Sequence, residues 1–210
     1  MRLKLHIALL LSMGSLAAAA QQQRYSAWLE AKTEIELFKD VDLTITQMFR
    51  SDLLPYSFGQ VNTELSASYK LNKHWRVGAE YRYIQTDNQQ RNRYAISAKY
   101  RDGINDFELA IRSQYQMETS STALPEYVFR NKGSLGYELT KDLMPYMAFE
   151  LFYRQYFREN IFDEYRLAGG LEWELNKHND VDIFYIYSRE FNVSNPDFRH
   201  IFGLSYKYNW

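Results

Sequence analysis

The sequence predicts an all-β fold, an antiparallel up-and-down barrel of about 10–12 strands. The first sign is a recurring turn phrase. Tyr69-Lys70-Leu71-Asn72-Lys73-His74 has relatives in Ile35-Glu36-Leu37-Phe38-Lys39-Asp40, Tyr137-Glu138-Leu139-Thr140-Lys141-Asp142 and Trp173-Glu174-Leu175-Asn176-Lys177-His178. Their leucines, at 37, 71, 139 and 175, are 34, 68 and 36 residues apart. Tyr100-Arg101-Asp102-Gly103-Ile104-Asn105 stands where the missing repeat belongs. A period in this range marks repeated supersecondary units. The second sign is period-two alternation between the turns, as in Trp75-Arg76-Val77-Gly78-Ala79-Glu80-Tyr81-Arg82-Tyr83. Apolar or aromatic residues there interleave with charged residues or glycine, the mark of a strand with unlike environments on its two faces. The third is enrichment in Tyr, Phe, Trp, Val and Ile, which suits strands.

Taken in order, the alternation begins at 25–37 and recurs at 61–71, 75–83, 93–101, 107–117, 129–139, 147–157, 165–175, 181–187 and 202–210. Each repeat is thus two strands. The repeated phrases form short turns at one end. Residues 51–58, 85–91, 118–126, 158–162 and 190–197 form longer connections at the other. Short turns on one side and long loops on the other are the pattern of outer-membrane barrels, whose short turns face the periplasm. The turns define eleven segments, which raises a parity problem. If Trp210 ends at the short turns, the first segment starts at the long loops, whereas bacterial single-chain barrels have even strand numbers. Either ten strands close and the first segment is irregular or tucked away from the wall, or one connection hides a further strand and there are twelve.

Residues 1–20 read as an export signal: Arg2 and Lys4, a short apolar stretch, then Ala18-Ala19-Ala20 before Gln21. The remaining 21–210 suit one domain. There is no cysteine, hence no disulfide, and a net charge of −1 argues against a nucleic-acid partner. Alternation alone does not say which face is inward. A secreted or periplasmic lipocalin-like binder of apolar ligands would place apolar residues in the lumen. Three features favour apolar-out and an outer-membrane location. Aromatic residues sit toward the strand ends, as an interfacial girdle requires: Trp75, Tyr81, Tyr83, Tyr94, Tyr100, Tyr165, Trp173, Tyr208 and Trp210. The last strand carries Phe202, Leu204, Tyr206, Tyr208 and Trp210 on one face, resembling the terminal signal read by the barrel assembly machinery. Finally, the polar face is ionised, and each Arg or Lys exposed to lipid near the midplane would cost ~2–4 kcal/mol.

The expected lumen-lining set is Arg76, Glu80, Arg82, Lys99, Glu108, Arg112, Arg130, Glu150, Arg154, Arg166, Glu172, Glu174 and His200. Arg50, Arg82, Arg112, Arg154 and Arg189 recur near the outer strand ends. They read either as an anion-selecting ring or as structural partners of Glu80, Glu108, Glu150 and Glu190. No catalytic, cofactor or metal site is expected. His74 and His178 occupy equivalent turns, and a pairing of His200 with Ser188 or Ser194 is the one nucleophile–base arrangement a lipid hydrolase could use. The functional expectation is a non-catalytic barrel, either a narrow channel or a structural surface protein, in contact with outer-membrane lipid. The residues around Trp28 through Phe49-Arg50, and especially 65–83, resemble the family catalogued as domain of unknown function 2490. That resemblance implies an outer-membrane barrel of Gram-negative bacteria and supplies no catalytic or binding residue.

Overall fold

The computed structural model describes residues 23–155 and 160–210. The export signal and the first part of the connection at 158–162 lie outside the described residues. Eleven strands follow one another: β1 (Gln23–Phe38), β2 (Val41–Leu53), β3 (Tyr56–Lys70), β4 (Trp75–Gln85), β5 (Gln90–Ile104), β6 (Phe107–Ser120), β7 (Glu126–Tyr137), β8 (Leu143–Gln155), β9 (Asn160–Asn176), β10 (Asn179–Glu190) and β11 (Phe198–Asn209). Each pairs antiparallel with its chain neighbours, and β1 pairs with β11 to close the barrel.

The parity problem is resolved at that seam. With an odd number of up-and-down strands, the first and last run the same way and must pair in parallel. They do so from Gln23↔Phe198 to Glu34↔Asn209. The first segment is therefore neither irregular nor outside the wall, and no twelfth strand occurs among the described residues. At ~4.8 Å between strands and ~40° tilt, eleven strands give a backbone radius of roughly 11 Å.

Side-chain direction follows from the pleat. On the outward face lie Leu29, Ile45, Leu65, Ile96, Ile111, Phe149, Leu167, Ile183 and Leu204, all exposed. Among the described strand residues, carboxylates, guanidinium groups and ammonium groups on this face are confined to strand ends, at Asp102 and Arg189. Several uncharged polar groups on it are paired across strands: Thr63 Oγ1 donates to Gln47 Oε1 at 2.9 Å, and Ser113 Oγ to Asn131 Oδ1 at 2.7 Å. An exterior of this kind is stable against acyl chains and not against water.

Two irregularities shape the long-loop end. Register slips opposite Arg50 and Ser51 leave Gly59 as an extra residue of β3. A Cβ there would lie 2.8 Å from the Arg50 carbonyl oxygen, so the bulge admits only glycine. A second slip in β9 makes Asp163 the extra residue, so that Asp163 and Glu164 are both buried on the lumen side.

The short turns carry their own clamps. In the β3–β4 turn Asn72 Oδ1 accepts from the His74 and Trp75 amides, and His74 Nδ1 lies 3.2 Å from the Arg101 carbonyl oxygen. The β9–β10 turn repeats this: Asn176 Oδ1 accepts from the His178 amide, and His178 Nδ1 lies 2.8 Å from the Asn209 carbonyl oxygen. Each histidine thus ties a turn to the next strand.

Closure at β1–β11 predicts a specific cross-link. In the cysteine-free chain, Leu29→Cys with Leu204→Cys, direct register partners, should oxidise to an intramolecular disulfide in refolded protein. A wall closed without β1 would leave both thiols free to alkylation.

Candidate functional site: a charged lumen

Strand alternation brings Arg76, Glu80, Arg82, Lys99, Glu108, Arg112, Arg130, Glu150, Arg154, Arg166, Glu172 and Glu174 to the inner face. Nine Arg or Lys and six Asp or Glu line a central chamber of about 360 Å3. Most of its charges are paired. Arg82 Nε donates to Glu64 Oε2 at 2.6 Å and its Nη2 approaches Glu80 at 3.1 Å. Arg112 reaches Glu80 at 3.4 Å, Arg130 reaches Glu150 at 2.8 Å and Arg166 reaches Glu164 at 2.7 Å. Arg154 binds Asp163 at 2.6 Å and also contacts Glu126. Opposite charges in a confined space of this kind repay part of each other's desolvation.

The recurring arginines divide. Arg82, Arg112 and Arg154 are paired: Glu80, one of the expected partners, serves Arg82 and Arg112, whereas Glu64, Asp163 and Glu126 were not among those expected. Glu108 instead faces Arg101 at 3.3 Å, and Glu190 accepts from the Asp197 amide at 2.9 Å. Arg50 forms no ion pair among the described residues. Its guanidinium carbon lies 3.8 Å from the Trp28 ring centroid, a cation–π contact. Arg189 faces outward over Phe198. No complete ring of arginines forms.

His200 is a correction. It is a register partner of Tyr25 and Tyr187, two strand steps from Phe202, and therefore points outward, not into the lumen. Its ring stacks on Tyr25 at 5.0 Å between centroids and its Nδ1 lies 2.7 Å from the Tyr185 hydroxyl. A polar ring is tolerated there because the aromatic band satisfies it. Ser188 points the other way and donates to Glu164 Oε1 at 2.7 Å, so the barrel wall separates it from His200.

The nine expected girdle residues all lie on the outward side or at the rim. Trp75, Tyr100, Trp173, Tyr208 and Trp210 cluster at the short-turn end. Tyr81, Tyr83, Tyr94 and Tyr165 lie toward the long-loop end, with contacts such as Trp75–Tyr100 at 5.2 Å and Tyr81–Tyr94 at 5.3 Å.

What the alternation pattern missed is a set of buried apolar side chains inside the lumen. Ile84, Val128 and Ile201 face inward near the long-loop end of β4, β7 and β11, and with Asn62 of β3 they are the most completely buried side chains. Trp28, Met48 and Phe152 lie just beneath, lining the central chamber. Glycines leave room for rings flat against the wall: a Cβ at Gly170 would collide with Tyr146, and one at Gly203 with Phe184. The only sequence signal was local loss of alternation, as at Tyr83-Ile84 and Leu151-Phe152. Toward the short turns the lumen opens instead. Arg101 and Arg76 side chains are 55% and 40% exposed, against 11% for Arg82. A mouth cavity of about 590 Å3 adjoins the central chamber, with Lys32 and Asp182 lining both.

The family model described as protein of unknown function (DUF2490) matches residues 25–199. Among curated protein sequences none matches this chain. Among solved structures, the NanC porin is similar at a TM-score of 0.51 and 15% identity, over 77% of this chain and 85% of the porin. A bacterial polysaccharide outer-membrane secretin is similar at a TM-score of 0.53 and 8% identity, over 80% of this chain and 73% of its own. These likenesses concern fold. With the apolar exterior and ionised interior, the molecule is an outer-membrane β-barrel of porin-like architecture.

The Arg82 knot yields a stability prediction. Arg82→Ala leaves Glu64 and Glu80 facing each other uncompensated and should lower stability by roughly 3 kcal/mol in denaturant unfolding. Adding Glu64→Gln should restore part of that loss. Equal stability of Arg82→Ala and wild type would mean the pair is hydrated and idle.

Proposed function

The chain belongs to the DUF2490 family, and we propose that it is a non-catalytic, porin-like outer-membrane barrel whose narrow passage is closed at rest near its outer rim. One observation carries this reading. Toward the long loops the lumen is tightly filled, with Ile84, Val128 and Ile201 buried beside Asn62, Arg91, Gln116 and Arg154, and this filling caps a charged chamber that opens toward the short turns. Since short turns face the periplasm, the chamber is filled from that side. Long side chains on a wall of roughly 11 Å radius leave little free bore even without the cap.

The non-catalytic part is supported by where the candidate chemistry went. His74 and His178 brace turns, His200 sits among tyrosines on the lipid face, and Ser188 is engaged with Glu164 inside. The partners in this reading are outer-membrane lipid against the apolar belt and the barrel assembly machinery reading β11 up to Trp210.

Planar-bilayer recording tests the passage. Wild-type refolded protein should give small or infrequent conductance, and Ile84→Ala with Ile201→Ala should increase it several-fold by thinning the cap. A large steady conductance in wild type, unchanged by the double substitution, contradicts a cap at that level. In parallel, His200→Ala should leave lipid and ester turnover at the wild-type background; turnover that vanishes in His200→Ala would establish a hydrolase instead.

A further inference from the structure

One row of the inner wall carries a longer run of like charge than any other among the described residues. Lys70 of β3 is the register partner of Arg76 of β4, Arg76 of Lys99 on β5, Lys99 of Arg112 on β6, and Arg112 of Lys132 on β7. Five cations thus stand directly opposite one another across five neighbouring strands. Like charges in direct cross-strand contact are destabilising. A nearby row shows how such repulsion is offset: Arg82 and Arg93 are register partners too, but they are flanked by Glu64 and Glu118, and each guanidinium pairs with one of those carboxylates.

Within the five-cation row compensation is incomplete. Arg76 contacts Asp42, and Arg112 lies 3.4 Å from Glu80. Lys70, Lys99 and Lys132 form no ion pair and no side-chain hydrogen bond among the described residues. The neighbouring row above them is small and neutral at Ser68, Gly78 and Ser97, which leaves space over the ammonium groups.

The row also connects two cavities. Its lower end lines a cavity of about 480 Å3 at the short-turn mouth, where Lys70, Lys73, Arg76, Lys99, Arg101 and Lys207 face one carboxylate, Glu34. Its upper end, Arg112 and Lys132, lines the central chamber. Because strands tilt in a barrel, a row of register partners climbs the wall. Four interstrand steps of ~4.8 Å give a cationic stair of roughly 19 Å.

We propose that this stair is a binding site for an extended multivalent anion, a short chain bearing several phosphate or carboxylate groups, entering from the short-turn side. The ligand's charges replace the missing carboxylates and relieve the repulsion the empty row carries. The site rests on the preceding functional reading only in needing a water-accessible lumen, not in needing passage through the outer rim.

Calorimetric titration of the full refolded chain in detergent at low ionic strength tests it, with sodium tripolyphosphate and citrate as probes. Wild type should bind. Lys99→Gln and Lys132→Gln should each weaken binding about tenfold, the loss of one charged contact. Lys177→Gln, in the exposed β9–β10 turn, should not. Melting of Lys99→Gln and Lys132→Gln without ligand should hold or rise, whereas lysines with a merely structural role would lower it. Lys99→Arg should keep the affinity. Binding of tripolyphosphate alone assigns the stair to phosphate chains, and binding of both probes to multivalent anions generally. Absence of wild-type binding, or equal binding by wild type and the two glutamine variants, overturns the site. A wild type that binds yet conducts nothing keeps the stair and removes the passage; one that conducts without binding does the reverse.

Discussion

A bilayer offers no hydrogen-bond partner to an open sheet edge, so every backbone N–H and C=O of the wall must find its partner within the protein. In this chain that constraint is met by the parallel pairing of β1 with β11 over twelve register pairs. Everything else follows from closure. The pleat then has one face for lipid and one for the lumen, and each side chain's environment is set by whether its number is odd or even within its strand.

The two faces are built on opposite rules. Outside, several polar groups form neutral cross-strand pairs or sit at the aromatic bands. Inside, ionised groups dominate, and stability comes from matching signs, as in the Arg82–Glu64–Glu80 and Arg154–Asp163–Glu126 clusters. Ile84, Val128 and Ile201 are buried on the inner wall beside polar and charged neighbours such as Asn62, Arg91, Gln116 and Arg154. Inward side chains are more buried toward the long loops and more exposed toward the short turns.

Much of this was legible in the sequence, because a two-residue period and a recurring turn phrase are local signals. The turns, the inward charges and the aromatic bands came directly from them. Strand parity was not legible: register between the first and last strands is a long-range property, and a parallel seam leaves no local mark. His200 shows how polarity misleads where parity would not. Counting two residues back from Phe202 places it outside, and Tyr25 and Tyr185 make that position acceptable. The buried aliphatic side chains of β4, β7 and β11 were missed because single inward aliphatic residues look like lapses in an alternation, and only the barrel brings them against their neighbours on other strands. The like-charge row was invisible for the same reason, since its members are 6, 23, 13 and 20 residues apart.

The central claim is that the apolar stripe meets lipid while the ionised stripe lines water. Single cysteines at Ile96, Leu204, Lys99 and Glu172, each carrying a nitroxide in reconstituted bilayers, measure this directly through collisions with molecular oxygen and a water-soluble nickel chelate. Labels at 96 and 204 should collide mainly with oxygen, and those at 99 and 172 mainly with the chelate. The reverse pattern would mean a soluble barrel with a greasy interior, and the membrane assignment would fail with it.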